Sequence, residues 1–303
     1  MRHQLVSVVM CTYNGSLYVR EQLDSILNQA YPELEVIVGD DASTDDTYAI
    51  LQDYAARDPR IRIYRNETNQ GYNVNFSKAC SLTTGAYVAI SDQDDIWEPD
   101  KVAVLVEALE ADPVFILVHG ISARFEEQGK PHLRSLKKVN YIRGHDIRKF
   151  FMLNIISGHS MMFRKELLAQ SQPFPARVYY DWWLAANACA IGEITAVERV
   201  LVWHRMHTSN ATGAARPVIP FYRQAQVILP ALLGIKGIRR GERRFGEELL
   251  RLYQSFPAKN FSWPLFFFLL RRARIVFAHK KRVFPWISYI KHSFKYARRS
   301  TNA

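Results

Sequence analysis

Two clusters of acidic side chains are the part of this sequence with the clearest chemical potential. Asp40 and Asp41 stand at the end of one apolar run, and Asp92, Asp94 and Asp95 follow another. Carboxylates at this density repel one another unless a cation lies among them. Oxygen ligands suit Mg²⁺ or Mn²⁺, and Mg²⁺ commonly takes only one or two protein carboxylates while substrate phosphates and water complete its shell. The clusters therefore predict a site for a divalent cation and a nucleotide diphosphate.

The apolar runs before these clusters predict the strands of a parallel α/β sheet. Four short runs rich in β-branched residues alternate with segments of helical periodicity: Leu5 to Met10, Leu34 to Val38, Ile61 to Tyr64 and Tyr87 to Ile90. Ligands of such sheets bind beyond the carboxyl ends of the strands, where loops and helix N-termini converge. The acidic clusters follow the second and fourth runs, so we expect them to meet at one edge of the sheet.

The helices between the strands are predicted from periodicity and from capping signals. The first carries one apolar stripe, the second begins with a capping box at Ser43 to Asp46, in which Asp45 and Asp46 serve the helix end, and two more follow Gly71 and Pro99. The stripe comprises Leu17, Leu23, Ile26 and Leu27. Later strands are predicted at Val114 to Ile121, Ser160 to Phe163 and Ile194 to Trp203, with a helix around Asp181 to Ala190 and a surface excursion over 122 to 140.

Composition places the chain among ordinary globular proteins, and charge divides it in two. Of 303 residues, 48% are hydrophobic and 23% charged, which permits one large or two modest domains. The net charge of +11 is uneven, because residues 217–303 contain 18 Lys and Arg against 3 Asp and Glu. Residues 1–216 contain 22 basic and 26 acidic side chains. The basic character therefore belongs to the last third of the chain.

Several classes of protein are disfavoured by what the sequence lacks. It has neither a G-x-G-x-x-G nor a G-x-x-x-x-G-K-[ST] motif, which argues against a dinucleotide oxidoreductase and a P-loop enzyme. The three cysteines, Cys11, Cys80 and Cys189, show no C-x-x-C spacing, so we expect reduced, mostly buried thiols in a cytosolic protein. The N-terminal apolar run is too short for a signal peptide, and the longest apolar stretch, Trp263 to Leu270, is far below the ~20 residues of a spanning helix.

Five motifs taken together resemble the family 2 inverting glycosyltransferases, which have a GT-A fold. They are Val8 to Gly15, Val38 to Thr47, Asn69 to Gly71, Thr84 to Tyr87 and Ser91 to Trp97, and the resemblance covers about residues 4–212. The form Ser-Asp-Gln-Asp-Asp-Ile-Trp, with Tyr180 to Trp183 and an Arg-Met-His before Asn210, is most similar to bacterial rhamnosyltransferases of surface polysaccharide assembly. The resemblance implies a GT-A domain with a mostly parallel sheet flanked by helices.

The resemblance also implies roles for individual residues. Asp181 would be the catalytic base, Asp94 would bind Mg²⁺ or Mn²⁺, and His207 would be a second metal ligand. The residues implied to contact the nucleotide sugar are Thr12, Tyr13, Asn14, Asp40, Asp41, Gly71, Asn75, Lys78, Asp92, Gln93 and Asp95. Asp95 could equally cap the turn before Pro99, and His207 could be an ordinary surface or core histidine. Two positions depart from the family: Tyr180 replaces a Glu, and Phe76-Ser77 stands where many relatives carry Arg-Asn.

The implied reaction is a single displacement with inversion at the anomeric carbon. Asp181 would take a proton from an acceptor hydroxyl as the nucleoside diphosphate departs. An apolar setting against Trp182 and Trp183 would raise the pKa of Asp181 above the usual value and strengthen the base. The alternative is that Asp181 caps the following helix. Arg205 could offset diphosphate charge, and Ser157 to Met162 resembles an acceptor-side loop, with a buried strand as the alternative.

The basic last third requires its own interpretation. We predict a catalytic domain over 1–216, with a nucleotide-binding half at 1–112 and an acceptor-binding half at 113–216, followed by a basic helical region at 217–303. Cations interleaved with aromatic residues are compatible with nucleic-acid binding. Because the sequence has no nucleic-acid recognition motif, we expect no nucleic-acid partner. Attachment to an anionic membrane surface is the favoured interpretation. The alternative is a set of helices that pack on the catalytic domain and leave a solvated basic face.

These expectations combine into one functional hypothesis with two alternatives. The protein would move a sugar, L-rhamnose from dTDP-L-rhamnose, to a polyprenyl-linked saccharide in the synthesis of bacterial O-antigen, capsule or another surface polysaccharide. It would act in the cytoplasm, peripherally on the inner face of the cytoplasmic membrane. The first alternative is a UDP-hexose-dependent transferase of the same fold. The second is a basic nucleic-acid-binding α/β protein whose acidic clusters only cap helices.

Overall fold

A computed structural model describes residues 3–125, 141–207, 220–256, 261–280 and 284–298. Within these ranges one eight-stranded sheet has the order β3-β2-β1-β4-β7-β6-β8-β5. Its strands are β1 Val6–Thr12, β2 Leu34–Asp40, β3 Ile61–Arg65, β4 Tyr87–Ser91, β5 Ile96–Trp97, β6 Phe115–Phe125, β7 Met161–Arg164 and β8 Glu193–Arg205. The strands predicted from apolar runs are confirmed, with ends that differ by a few residues.

The first half of the sheet is parallel, as the alternating pattern predicts. β1 pairs in parallel with β2 and β4, and β2 pairs in parallel with β3. Thr12 lies opposite Asp40 in the β1–β2 register, so the residues that follow these strands emerge at the same edge. β7 is antiparallel to both β4 and β6, and β5 is antiparallel to β8, while β6 and β8 run parallel. The result is a mixed sheet dominated by parallel pairs.

Helices cover both faces of this sheet. The first six are α1 Val19–Leu27, α2 Thr47–Arg57, α3 Tyr72–Ser81, α4 Lys101–Glu110, α5 Glu166–Ser171 and α6 Tyr180–Ile191. One buried cluster includes residues of α1, α2 and α4, and a second includes residues of α3 and α6. Short 3-10 turns at Ile147–Phe150 and Gly158–Ser160 precede β7. The two cores hold the carboxyl ends of β1, β2 and β4 in fixed relation.

Two local predictions about helix ends are wrong. Leu17 was expected on the buried stripe of the first helix, but α1 begins only at Val19 and Leu17 is 79% exposed. The capping box at Ser43 to Asp46 does not form, because the Ser43 hydroxyl bonds Asp40 and Asp46 makes no side-chain cap. The Asp45 carboxylate instead accepts from the Thr47 amide at 3.0 Å. Asp45 therefore does bind the first amide of α2, as expected of a residue at the helix end, but outside a capping box.

The basic C-terminal region consists of helices that largely pack on the preceding part of the chain. They are α7 Phe221–Leu233, α8 Arg240–Gln254, α9 Trp263–Arg271, α10 Ala273–Val276 and α11 Pro285–Tyr296. Buried residues of α7 to α10 belong to the same cluster as Phe151, Met152 and α6. The packing alternative for this region therefore describes α7 to α10. Both the predicted boundary at 216/217 and most of the predicted excursion over 122–140 lie outside the described residues. Among the described helices, none is long and apolar enough to cross a bilayer.

Candidate functional site

The ends of β1 and β2 form a buried polar floor at the sheet edge. The Thr12 hydroxyl donates to Asp40 Oδ1 at 3.1 Å, and the Ser43 amide donates to Asp40 Oδ2 at 3.0 Å. Arg65 Nε lies 3.3 Å from the same carboxylate. Asp40 is completely buried, which is tolerable for a charge because it is paired and hydrogen-bonded. Thr12 and Asp40 thus meet as predicted, in the floor beneath the edge.

Asp41 organises the loop that leads into α3. Its Oδ1 accepts from Asn66 Nδ2 and from the Gln70 amide, both at 2.9 Å, and its Oδ2 accepts from the Gly71 amide at 2.9 Å. Gly71 has a φ of +83°, a conformation that costs glycine little and other residues much more. The carboxylate therefore shapes the turn in which Gly71 lies.

Asn75 and Lys78 extend this network along α3. Asn75 is buried, donates to the Gly39 carbonyl at 2.8 Å and accepts from the Tyr64 hydroxyl at 2.8 Å. Lys78 Nζ donates to Asn66 Oδ1 at 2.8 Å and lies 4.4 Å from the centroid of the Tyr64 ring. Both side chains are near the predicted nucleotide-binding loops and hold them to α3.

A reciprocal contact joins the first and fourth strand ends. The Tyr13 amide donates to Gln93 Oε1 at 2.9 Å, and Gln93 Nε2 donates to the Tyr13 carbonyl at 3.1 Å. A Cβ at Gly15 would lie 2.3 Å from Gln93 Oε1, so glycine permits this approach. Asn14 accepts from the Thr44 amide at 2.8 Å and joins the second strand end as well. Tyr13 remains 46% exposed, which leaves its ring available to a ligand.

The second acidic cluster is interleaved with three histidines. Asp92 Oδ2 lies 2.7 Å from His159 Nδ1, and Asp94 Oδ2 lies 2.8 Å from His207 Nε2. Asp95 Oδ1 lies 3.1 Å from His204 Nδ1. Asp94 and His207, the two residues expected at the metal, are thus in contact, and their role as metal ligands stays a prediction. His159 and His204 also stack on each other, with ring centroids 4.9 Å apart.

His159 is the cation of this cluster. Burial by itself disfavours its charged form, but Asp95 and Asp92 outweigh burial and raise its pKa to about 9. Its Nε2 also approaches the Ser122 hydroxyl at 2.9 Å, so both ring nitrogens are engaged. Burial alone would raise the pKa of Asp95. The charge of His159 and the hydrogen bonds from His204 and the Arg205 amide have a larger, opposite effect, so the pKa of Asp95 is lowered. The fully buried Asp95 therefore lies beneath the site and faces these partners.

Two sets of donor atoms in this cluster could hold a divalent cation. The first is Asp94 with His207. The second is Asp95, His159 and His204, whose donor atoms all lie within 4.8 Å of one another. Burial, Asp92 and Asp95 together raise the pKa of Asp94, and a cation bound beside it would favour its charged form. The donors of the second set already neutralise one another, since His159 is charged. The pair Asp94–His207 is the better fit.

Arg205 is buried beside the acidic cluster. Its side chain is 5% exposed, its guanidinium pairs with Glu21, and its Nε donates to the Asp94 carbonyl at 3.1 Å. The guanidinium lies between the Tyr18 and Phe125 rings, 4.7 and 4.8 Å from their centroids. The expected role in offsetting diphosphate charge stays a prediction; the contacts of Arg205 fasten the end of β8 to α1 and brace Asp94.

Asp181 lies in the first turn of α6. Its Oδ1 accepts from the Trp182 amide at 2.6 Å, whereas the N-cap position is occupied by Tyr179. Burial is the main reason that its pKa is raised, to about 6, with a further contribution from Asp92 and opposing ones from His159 and Asn154. The predicted rise in pKa is confirmed. A carboxyl group with this pKa is mostly ionised at neutral pH and is a stronger base than an ordinary aspartate.

Tyr180 replaces the acidic residue that the resemblance leads one to expect before Asp181. Its ring packs against Phe76 with centroids 4.3 Å apart, and its amide donates to Asn73 at 3.1 Å. A Cβ at Gly158 would lie 2.1 Å from the Tyr180 hydroxyl. Both departures from the family pattern, at Tyr180 and at Phe76, therefore contact each other and form one apolar replacement.

Sequence reasoning underestimated the group around His159. That residue was placed in an acceptor-side loop or a buried strand, yet it binds the cluster directly. Lys101, which no motif indicates, is completely buried, donates from Nζ to the His159 carbonyl at 2.7 Å and lies 3.2 Å from the Trp97 ring centroid. The Gly-His-Ser sequence just before β7 was the one available signal, and only tertiary structure reveals its partners.

Comparison with known proteins decides the family. Residues 7–171 match the model of glycosyl transferase family 2. The chain belongs to this family. An uncharacterised protein of Mycobacterium tuberculosis is 31% identical over 216 residues, which are 69% of this chain and 61% of that protein. The chain thus spans about three fifths of the length of such curated relatives. The putative teichuronic acid biosynthesis glycosyltransferase TuaG of Bacillus subtilis is 42% identical over 103 residues, 34% of this chain and 41% of TuaG.

Solved structures support the fold. Residues 1–349 of TarS from Staphylococcus aureus, in complex with UDP-GlcNAc, superpose with a TM-score of 0.64 at 18% identity, covering 97% of this chain and 81% of that one. The mannosyltransferase PcManGT from Pyrobaculum calidifontis, in complex with GDP-Man and Mn²⁺, gives 0.59 at 22% identity, covering 96% and 84%. At these identities the likeness concerns the fold alone. The predicted GT-A fold is confirmed.

Proposed function

We propose that this family 2 protein is an inverting glycosyltransferase that moves a sugar from a nucleotide-sugar donor to an acceptor hydroxyl. The observation that carries the proposal is Asp181, a carboxyl group with a pKa raised to about 6 that is electrostatically coupled to Asp92 of the acidic cluster. A base of this strength next to a cation-binding cluster matches what a displacement at an anomeric carbon requires. Family membership and fold agree with this activity.

In the proposed reaction Asp181 receives the proton of the acceptor hydroxyl. The acceptor oxygen forms a bond to the anomeric carbon while the bond from that carbon to the diphosphate oxygen breaks. The nucleoside diphosphate leaves with the electron pair of the broken bond, and the configuration inverts. General-base catalysis of this kind contributes ~10²–10⁴-fold to rate. Trp182 keeps the carboxylate oriented through its amide, which donates to Oδ1 at 2.6 Å.

We propose Asp94 and His207 as the ligands of Mg²⁺ or Mn²⁺. Such a cation, when bound, offsets the negative charge of the donor diphosphate and of the leaving group. Asp92 and Gln93 border this position, and Asp95 is assigned to orienting His159 and His204 from below because it is completely buried. PcManGT, a neighbour in fold, was solved with Mn²⁺. The choice between the two metals is open to direct titration.

The nucleotide is proposed to lie over the floor made by Thr12 and Asp40. Tyr13 is the exposed aromatic side chain at that floor, and Asn14, Asp41 and Gly71 border it. Asn75 and Lys78 contribute by holding the loop, since their polar atoms already bind Gly39, Tyr64 and Asn66. We propose dTDP-L-rhamnose as the donor on the strength of the motif resemblance, and a UDP-hexose is the alternative.

The acceptor is proposed to be a polyprenyl-linked saccharide of bacterial surface polysaccharide synthesis. Two observations support this assignment: the motif resemblance, and the similarity to TuaG, which is named for teichuronic acid biosynthesis. The nucleic-acid alternative supposes that the acidic clusters only cap helices, whereas Asp92, Asp94 and Asp95 contact histidines.

The test is nucleoside diphosphate release from a panel of nucleotide sugars, with and without Mn²⁺ or Mg²⁺. The panel contains dTDP-L-rhamnose, UDP-glucose, UDP-GlcNAc and GDP-mannose. Asp181→Asn and Asp94→Asn should each reduce turnover by ~10²-fold or more. Asp58→Asn, which removes a local ion pair with Arg60 at 2.7 Å, is the matched control and should retain activity. Full turnover in both site variants, or release from no donor, would overturn the proposal.

A further inference from the structure

The outer surface of α9 and α11 is apolar where a water-exposed surface should be polar. Among the described residues, sixteen large apolar side chains are exposed, and seven of them lie in this short part of the chain. They are Trp263 and Phe267 on α9, Phe284 before α11, and Trp286, Ile287, Ile290 and Phe294 on α11. Trp263 and Trp286 are 60% and 61% exposed. We call these seven side chains the aromatic patch.

The helix α11 is inverted with respect to an ordinary surface helix. Its buried positions are the small polar residues Ser288 and Ser293, and the Ser293 hydroxyl has no hydrogen-bond partner among the described residues. Its exposed positions include Trp286, Ile290 and Phe294, which repeat every four residues and share one face. Burial of apolar area lowers free energy and burial of an unbonded hydroxyl raises it. Another apolar medium over the outer face would therefore favour this orientation.

Ring contacts make the patch continuous across the two helices. Phe261 lies between them, with centroids 4.9 Å from Trp263 and 4.8 Å from Phe294. Trp263 stacks in turn against Phe267 at 5.9 Å. Isolated exposed apolar residues are common on proteins, whereas a contiguous patch indicates a binding surface.

The charge around the patch indicates what binds there. From position 249 onward the sequence has 12 Lys and Arg and neither Asp nor Glu. Arg271, Arg274, Lys291 and Arg298 are exposed on or beside α9 to α11, and the Arg298 guanidinium lies 4.3 Å from the Phe294 ring centroid. Tryptophan and phenylalanine flanked by such cations is the composition that favours the boundary between acyl chains and anionic headgroups. A second copy of the chain would bring like charges together.

We propose that the aromatic patch and its basic rim bind an anionic lipid surface. The aromatic and aliphatic side chains enter the acyl boundary, and the four cations contact the headgroups. Each Lys or Arg near such a surface contributes about 1 kcal/mol, which corresponds to about fivefold in affinity. This inference concerns where the chain resides, and it stands whether or not the proposed transfer activity is correct.

The experiment is co-sedimentation of the full chain with vesicles of phosphatidylcholine alone or with one third phosphatidylglycerol. Binding is expected on the anionic vesicles, weakening as salt is added. Trp286→Glu/Ile290→Glu should reduce binding by more than tenfold. Lys291→Glu/Arg298→Glu should do the same on anionic vesicles. The matched control, Val114→Glu/Lys165→Glu, alters an exposed apolar and an exposed basic residue elsewhere and should bind like the parent chain.

A second measurement locates the contact and does not depend on how much affinity is lost. Brominated acyl chains quench only tryptophans that enter the bilayer. The parent chain should be quenched on bound vesicles, and Trp263→Phe/Trp286→Phe should bind within about twofold yet lose most of the quenching, although four of six tryptophans remain. The inference would be overturned by unchanged quenching in that variant, or by equal vesicle binding of the patch variants and the control. It would also be overturned if the chain did not bind vesicles and instead formed a dimer that Trp286→Glu dissociates.

Discussion

His159 Nδ1 lies 2.7 Å from Asp92 Oδ2, and this contact joins two parts of the chain that are 67 positions apart. The same ring nitrogen lies 3.3 Å from Asp95 Oδ2. One imidazolium thus neutralises two members of the acidic cluster from below, while Asp94 faces His207. The division explains how three carboxylates can lie within four consecutive positions: each of them contacts at least one histidine.

Removal of this imidazolium is expected to destabilise the fold. His159→Leu leaves the completely buried Asp95 without its main cation, and breaking a buried pair by deleting one partner costs about 3 kcal/mol or more. Because folding raises the pKa of His159 to about 9, its contribution is complete below about pH 6.5 and is lost as pH rises through 9. Urea unfolding at pH 6.5 and pH 9.5 should show a large difference from the parent chain at the lower pH and a smaller one at the higher pH.

His145 provides the control for that substitution. Its Nδ1 lies 3.0 Å from Glu193 Oε1, but the two side chains are 45% and 33% exposed, unlike the buried pair of His159 and Asp95. Exposed pairs contribute at most about 1 kcal/mol. His145→Leu should therefore shift the unfolding midpoint little, and equal effects of the two substitutions would contradict the role assigned to His159.

The pH dependence of transfer should report Asp181. A general base must be deprotonated, so kcat/KM is expected to rise with pH and to level off above the pKa of about 6 that burial produces. Below that pH the rate should fall about tenfold per unit. Asp181→Asn should lose this acidic limb together with most of the activity. A profile that is flat between pH 5 and 7 in the parent chain would show that another group accepts the proton.

The contact between Gly158 and Tyr180 should tolerate no added carbon. A Cβ at Gly158 would lie 2.1 Å from the Tyr180 hydroxyl, so Gly158→Ala must displace a buried tyrosine next to Asp181. We expect a loss of about 1–3 kcal/mol in stability and reduced turnover. Gly241→Ala, in α8 where a Cβ meets nothing within 4 Å, should instead stabilise by about 0.5–1 kcal/mol. Thermal unfolding of the two variants should shift in opposite directions.

Asp41 should be required for the shape of the loop over residues 66–71. Asp41→Asn keeps the size of the side chain but replaces one acceptor oxygen by a donor that faces backbone amides. The expected cost is about 1–3 kcal/mol, with weaker binding of nucleoside diphosphate measured by calorimetry. Asp46→Asn, at a helix end without a side-chain cap, should change neither quantity appreciably.

The strands and the approximate location of the site could be predicted from sequence, because their signals are local. Buried runs such as Val36 to Val38 alternate with amphipathic helices, and the carboxyl ends of parallel strands necessarily share an edge. The register of β1 and β2 places Thr12 opposite Asp40 and so brings the two strand ends together.

The remaining features depend on contacts between distant residues. Leu17 has the right spacing for the stripe of α1 but precedes the first helical turn, so its burial could not be inferred from periodicity. The antiparallel insertion of β7 between β4 and β6, the pairing of His159 with Asp92, and the burial of Lys101 are all set by tertiary packing. The pairing of Arg205 with Glu21, 184 positions away, likewise depends on tertiary packing.

The C-terminal helices α7 to α10 share one buried core with α6 and are therefore held in place by it. Removing these helices would expose buried residues such as Phe151 and Met152 to water. We therefore expect that the region cannot be deleted or exchanged without a loss of stability. A lipid surface bound by α9 and α11 would then lie at a fixed distance from the sheet and at a fixed angle to it. If the proposed transfer and the proposed lipid contact both hold, the packing of these helices would set the distance at which an acceptor presents its hydroxyl.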